Sequence, residues 1–147
     1  MLLQAKQAAD LHTGGFAQRV VHQVIRDGFL SQHIPTIRDR YRAQRDAMAA
    51  ALTKHLPAGS EWSAPSGGMF FWVRLPQGCD AMALLPKAVE AGVAYVPGAA
   101  FYAENPDMRT LRLSFVTLAP ADIAEAVERL GGVLKRHLSE QPALATA

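Results

Sequence analysis

Hydrophobic positions recur at two spacings along this chain of 147 residues, and the change of spacing separates helical from extended segments. Apolar residues three and four apart predict an amphipathic helix, whereas strict alternation predicts a strand with one buried face. The helical spacing predicts a helix end over 1–10, a second helix over 15–27 and a third from about Pro35, a favourable first-turn residue. The buried side of the third helix would hold Ile37, Tyr41, Met48, Leu52 and Leu56.

The spacing changes after residue 60. The bulky aromatic stretch over 67–76 predicts a strand. Asp80 should cap a helix that runs to Glu90. Pro86 should kink that helix or delay its start, because an interior proline removes a hydrogen bond. A short strand over 93–96 should follow.

The stretch TLRLSFV alternates Leu111, Leu113 and Phe115 with Arg112 and Ser114, which predicts a strand whose arginine points away from the core. A guanidinium fork on a rigid strand binds a carboxylate through two parallel hydrogen bonds, so Arg112 is a candidate site for a small acid. The pattern also allows an arginine on the wet face of an antiparallel sheet. Both interpretations stay open on the pattern alone.

A last helix is predicted from about Pro120, with a buried side of Ile123, Val127, Leu130 and Leu134. The order is therefore two or three helices followed by β-α-β-β-α. This order predicts an α/β fold in which helices cover one face of a sheet and leave the other face free. The tail over 141–147 has little to bury, and we expect it to be frayed.

Composition narrows the class of protein. A net charge of +2, with 15 basic residues spread among 13 acidic ones, argues against nucleic acid as a partner. The single cysteine, Cys79, excludes an internal disulfide framework and suits a reducing compartment. No apolar run reaches the length of about 18 residues that a membrane span needs, and no signal peptide is evident. We therefore expect a cytoplasmic protein without a membrane partner.

The other residues that could form a binding or catalytic site are less clearly indicated by the sequence than Arg112. In the stretch YVPGAAFY, Gly98 allows close backbone approach, and Phe101 or Tyr102 would line a pocket, although an ordinary turn with core aromatics fits as well. The five histidines lack metal-ligand spacing, so no metal is expected. No glycine-rich phosphate loop is present.

Four stretches in order, AKQAADLHTGGFAQ, PSGGMFFWVRLP, GVAYVPGAAFYAEN and LRLSFVTLAP, resemble the C-terminal part of the class I/II aminotransferases. These are enzymes of fold type I that use pyridoxal 5′-phosphate (PLP). The aromatic and 2-aminoadipate (LysN-like) branch is the most similar. The resemblance implies a helical remnant of the large PLP-binding domain over 1–33, an α+β small domain over 34–140 and the tail over 141–147.

The resemblance also implies residue roles. Arg112 matches the arginine that binds the α-carboxylate of the substrate. Gly98, Phe101 and Tyr102 would lie near the substrate entrance. His12 and Thr13 would lie near the cofactor phosphate of the neighbouring subunit in a homodimer. Substrates would be an amino acid and a 2-oxo acid, with aromatic amino acids, 2-aminoadipate, leucine and kynurenine all open.

One departure from the family pattern matters for activity. The segment that carries the Schiff-base lysine in this family does not occur in the sequence. Lys6 matches a different family position, and Lys54, Lys87 and Lys135 fall on predicted helices. A covalent PLP enzyme needs that lysine, so the sequence predicts a truncated chain that does not transaminate alone.

Two alternatives to an enzyme fragment remain. One is the effector domain of a MocR-type regulator, in which an aminotransferase-like domain senses PLP behind a DNA-binding domain. The other is a module that assembles without catalysis. A fragment of this kind should self-associate, since large exposed apolar patches are rarely tolerated.

Overall fold

The structure, a computed structural model, describes residues 1–12 and 14–140 of the chain. These residues fall into two units that divide in sequence between Asp39 and Arg40. The first unit is helical, and of its described residues only Ile37 is even half-buried. The second unit holds the sheet and the hydrophobic core. The predicted domain division after residue 33 stays a prediction.

Helices α1 (Leu2–Ala9) and α2 (Gly15–Ile25) confirm the helical spacing at the start of the chain. Neither helix buries a residue. Helix α2 ends two residues before the predicted end. Gly28 follows it with φ 79°, a left-handed conformation that glycine adopts without strain.

Helix α3 (Phe29–His55) begins before Pro35, so the predicted start at Pro35 is wrong. The rings of Phe29 and His33 stack with centroids 5.0 Å apart and support a first turn ahead of the proline. Pro35 therefore lies inside the helix, where it cannot donate to the carbonyl four residues earlier and its ring crowds that carbonyl. Further along, the helix buries Gln44, Met48, Ala51 and Leu52.

A four-stranded antiparallel sheet forms the centre of the second unit. Its strands are β1 (Glu61–Trp62), β2 (Phe70–Arg74), β3 (Val96–Pro97) and β4 (Thr110–Ser114). They lie side by side in the order β1-β2-β4-β3. One face is buried because the alternating apolar residues of the two central strands point into the core: Phe71, Val73, Leu111 and Leu113.

Helices α4 (Ala81–Glu90) and α5 (Pro120–Glu140) share one core with that buried face. Asp80 caps α4 as predicted, since its carboxylate accepts from the backbone N–H groups of Met82 (2.8 Å) and Ala83 (3.1 Å). With this cap the helix starts at Ala81, so of the two effects predicted for Pro86 the late start is wrong, and the kink stays a prediction. The predicted buried side of α5 is confirmed at Ile123, Val127, Leu130 and Leu134.

The observed strands differ from the predicted ones in their bounds. Strand β3 is Val96–Pro97 rather than 93–96. Tyr95 lies just before this strand, and its hydroxyl donates a hydrogen bond to the Ala81 carbonyl at 2.7 Å. Burial, with smaller effects of neighbouring groups, raises the pKa of Tyr95 to about 12. Strand β1 was not predicted, and β2 occupies only the middle of the predicted range 67–76. Strand β4 ends at Ser114 rather than at residue 116.

Candidate functional site: an arginine on the open face of the sheet

Arg112 lies in the middle of β4, and the register of the sheet decides which face it occupies. It pairs with Trp72 on β2 and with Val96 on β3. Directly paired residues of an antiparallel sheet point to the same side. These three residues, with Phe70 and Ser114, form the face opposite the core, which we call the open face. The predicted alternation of β4 is confirmed.

Two aromatic rings contact the guanidinium of Arg112. Its Cζ lies 4.1 Å from the ring centroid of Phe70 and 4.6 Å from that of Phe101. Both distances are within the range of a cation–π interaction. We call these two rings the aromatic clamp. Trp72 packs edge-on against Phe101, with centroids 5.7 Å apart, and lies 6.3 Å from the ring of Tyr102.

The guanidinium of Arg112 has no acidic partner among the described residues. Its Nε is buried, yet it donates to no acceptor in the part of the chain that the structure describes. A buried donor without an acceptor costs about 1–3 kcal/mol, and no described residue supplies an acceptor that would offset this cost. The charge and the planar fork favour a carboxylate.

The other arginines near the sheet contrast with Arg112 because they share one carboxylate. Arg74 donates to Asp107 at 2.8 Å, and Arg109 donates to the same carboxylate at 3.2 Å. The hydrogen bond that Arg74 donates to Asp107 is the largest of the effects that raise the pKa of Arg74. Partial burial alone would raise the pKa of Asp107, but hydrogen bonds from Arg109 and Arg74 lower it below its usual range. These arginines are therefore already occupied.

Gly98 controls how closely the segment carrying Phe101 approaches β4. It begins a short 3₁₀ turn, Gly98–Phe101, and is buried. A Cβ at this position would lie 2.7 Å from Cβ and 2.9 Å from the carbonyl carbon of Thr110, closer than real Cβ atoms come. Only glycine therefore allows the turn to pack directly on the strand.

The structure brings some of the predicted site residues together. Phe101 contacts Arg112, Tyr102 lies beside Trp72, and Gly98 supports the turn that holds Phe101. His12 is exposed and belongs to the first unit. Thr13 lies outside the described residues.

Sequence reasoning missed Phe70 and Trp72 as members of the site. The signal was present, since FFWVR alternates as clearly as the strand that carries Arg112. This alternation puts Phe70 and Trp72 on the face opposite Phe71 and Val73.

Comparison with known proteins identifies the family. A sequence profile of the family described as "Aminotransferase class I and II" matches residues 4–130. The chain belongs to the class I and II aminotransferases. Aromatic-amino-acid aminotransferase 1 of Thermococcus litoralis is 42% identical over 92% of this chain and 33% of that protein. The 2-aminoadipate transaminase of Thermus thermophilus is 45% identical over 94% of this chain and 34% of that protein.

A solved aminotransferase has the same fold. It is LysN, the α-aminoadipate aminotransferase of Thermus thermophilus, in complex with N-(5′-phosphopyridoxyl)-L-leucine. It superposes with a TM-score of 0.83 at 44% identity, over 94% of this chain and 35% of that one. This chain thus spans about a third of the length of these aminotransferases.

The lysines test whether the described residues fit a covalently bound PLP. The chain has four of them, at positions 6, 54, 87 and 135, and all are exposed. Lys6 faces Asp10 at 3.7 Å, and Lys87 faces Glu140 at the same distance. A Schiff-base lysine is normally enclosed so that its amine stays reactive. The described residues therefore do not fit covalent attachment of the cofactor.

The described residues also lack a metal-binding cluster and a membrane-spanning helix. They contain no group of three or more metal-ligating side chains of His, Cys, Asp or Glu. None of the described helices combines the length and the apolar character needed to cross a membrane.

Proposed function

We propose that this chain supplies the substrate-carboxylate site of a PLP-dependent aminotransferase. Arg112 would bind the α-carboxylate of an amino acid and of a 2-oxo acid. The observation that carries the proposal is the guanidinium on the open face, which has two aromatic neighbours, a buried unpartnered Nε and no acidic partner among the described residues. The carboxylate is the group that amino acids and 2-oxo acids share, so one arginine would orient both substrates.

The contribution of Arg112 to the reaction is orientation. Two parallel hydrogen bonds from its fork fix the position and the plane of the carboxylate, and thereby the position of the α-carbon attached to it. Bound PLP supplies the electron sink of transamination. In this proposal, the lysine and the other groups that hold PLP come from outside the described part of the chain.

Within this proposal the chain corresponds to the C-terminal part of the family fold, and the complete enzyme works as a homodimer in the cytoplasm. The order of the four family motifs supports the C-terminal position. The exposed apolar residues of α1 and α2 support self-association, because water-exposed apolar surface of this extent favours burial.

The carboxylate site can be tested on the 147-residue chain by an NMR titration with pyruvate, a simple 2-oxo acid. R112Q should bind pyruvate at least about ten-fold more weakly than the wild type, since hydrogen bonds to charged groups contribute ~1.5–3 kcal/mol. R136Q is the matched control: it removes the same charge from an exposed position of α5 and should bind like the wild type. Equal affinities of R112Q and the wild type would refute the proposed site.

Covalent attachment of PLP is tested separately. After addition of PLP, borohydride reduction and mass spectrometry, we expect substoichiometric labels spread over the exposed lysines. The absorbance spectrum between roughly 300 and 450 nm should show no single defined adduct, and the chain should not transaminate. One stoichiometric adduct at Lys6 would contradict this expectation, because the chain would then hold its own Schiff-base lysine.

A further inference from the structure

The aromatic clamp approaches Arg112 from both sides of its strand. Phe70 comes from β2, on one side of β4, and Phe101 follows β3, on the other side. The two rings lie 4.1 and 4.6 Å from the same guanidinium carbon. The side chain is therefore held between a ring of β2 and a ring of the turn that follows β3.

This arrangement suits an arginine that must keep its hydrogen-bonding edge free. A guanidinium donates to a carboxylate in its own plane, whereas aromatic rings attract it through their faces. An acidic side chain would hold the arginine equally well, but it would occupy the N–H groups that a substrate needs. Arg74 illustrates this alternative, because its guanidinium forms ion pairs with Asp107 and Glu61.

We propose that Phe70 and Phe101 are positioning residues that orient Arg112 for its carboxylate ligand without competing for its N–H groups. The proposal rests on the proposed function of Arg112. Trp72 supports the clamp, since it lies directly opposite Arg112 in the sheet and packs edge-on against Phe101. Restricting the arginine before binding removes part of the entropy cost that the ligand would otherwise have to offset.

Leucine and tyrosine substitutions distinguish an effect of the aromatic ring on Arg112 from an effect of apolar packing alone. F70L and F101L keep an apolar side chain but remove the ring, whereas F70Y and F101Y keep the ring. Phe70 is 38% exposed and Phe101 51% exposed, so these changes should leave the core intact. F16L is the matched control, because Phe16 is 84% exposed and lies on α2 in the first unit.

Two readouts are measured on the 147-residue chain: the affinity for pyruvate and the NMR signal of the Arg112 Nε–H. F70L and F101L should each weaken binding about 2- to 10-fold, the range expected when one flexible side chain must be ordered on binding. They should also shift the Nε–H signal, because the ring that shields this group is gone. The tyrosine variants and F16L should match the wild type in both readouts.

The outcomes distinguish this inference from the proposed function. If R112Q loses binding but both leucine variants bind like the wild type, the clamp is refuted and the carboxylate site stands. If tyrosine variants lose affinity as leucine variants do, the aromatic face has no role and the clamp is again refuted. If R112Q itself binds like the wild type, the proposed function fails. Should F70L not fold, F101L alone decides between these outcomes.

Discussion

At the scale of single residues, Gly98 is the position where one added methyl group should disturb the site. G98A places a Cβ against Thr110, so either the 3₁₀ turn or β4 must shift. Overpacking of this kind costs about 1–3 kcal/mol. We expect urea unfolding of G98A to show that loss and pyruvate binding to weaken with it, because Phe101 moves with the turn.

The control for G98A is G67A. A Cβ added to Gly67 would have no other heavy atom within 4 Å, and the φ of Gly67 is not positive, so alanine should be tolerated there. A G98A variant as stable as G67A would show that the turn and the strand do not need their close approach.

The residues of the site differ in how far the sequence predicts them. Arg112 could be predicted, because alternation with Leu111 and Leu113 fixes its face from neighbouring positions alone. Its contact with Phe70 could not, because it depends on the register between β2 and β4, two strands far apart in sequence. The unpartnered Nε likewise depends on which acceptors the whole fold brings nearby.

At the scale of secondary-structure elements, Asp107 links the ends of β2 and β4. Its carboxylate accepts from the Arg74 side chain of β2 and from the Arg109 backbone just before β4, and its carbonyl accepts from Thr110. Partial burial alone would raise the pKa of Asp107, but the hydrogen bonds from Arg109 and Arg74 lower it. The linkage therefore depends on pH.

A lowered pKa in the folded state means that the carboxylate stabilises the fold only when it is ionised. This contribution is fully present above the unfolded-state pKa of about 3.9 and is lost as the pH falls from there through the lowered folded-state pKa. D107N should be less stable than the wild type at pH 7, and the difference in free energy of unfolding should shrink below about pH 4. Urea unfolding measured from pH 7 to 3 checks this, and parallel curves for both proteins would contradict it.

The helices and strands differ in how well the local sequence pattern predicts them. The buried side of α5 was predictable, because four apolar residues repeat at helical spacing over a long segment. Strand β1 was not, because two residues are too few to show a period. The start of α3 was predicted too late, because proline is common in the first turn of a helix and Pro35 fits that position. In the structure the stacked rings of Phe29 and His33 support a helical turn ahead of Pro35.

At the scale of the whole molecule, the first unit exposes apolar residues that need a covering surface. On α2, Phe16 is 84%, Val20 47% and Val24 54% exposed. We expect the 147-residue chain to form a homo-oligomer, and serine at these three positions should lower its mass in sedimentation experiments. A wild type that stays monomeric at high concentration would count against this expectation.

The family could be predicted from the sequence, because four motifs occur in order, and the profile match confirms it. Which residues of the whole enzyme hold the cofactor could not be predicted, since the chain spans only about a third of the length of its relatives. The second unit by itself has a four-stranded sheet with a helix-covered core on one side and a candidate carboxylate site on the other.

The most direct test of this account is the NMR signal of the Arg112 Nε–H during titration with pyruvate and, in parallel, with pyruvamide. The two compounds have nearly the same shape, but only pyruvate carries a carboxylate. We predict that pyruvate shifts the Nε–H signal in a saturable way and that pyruvamide leaves it in place. An equal response to both compounds, or no response to pyruvate, would contradict the assignment of Arg112 as a carboxylate site.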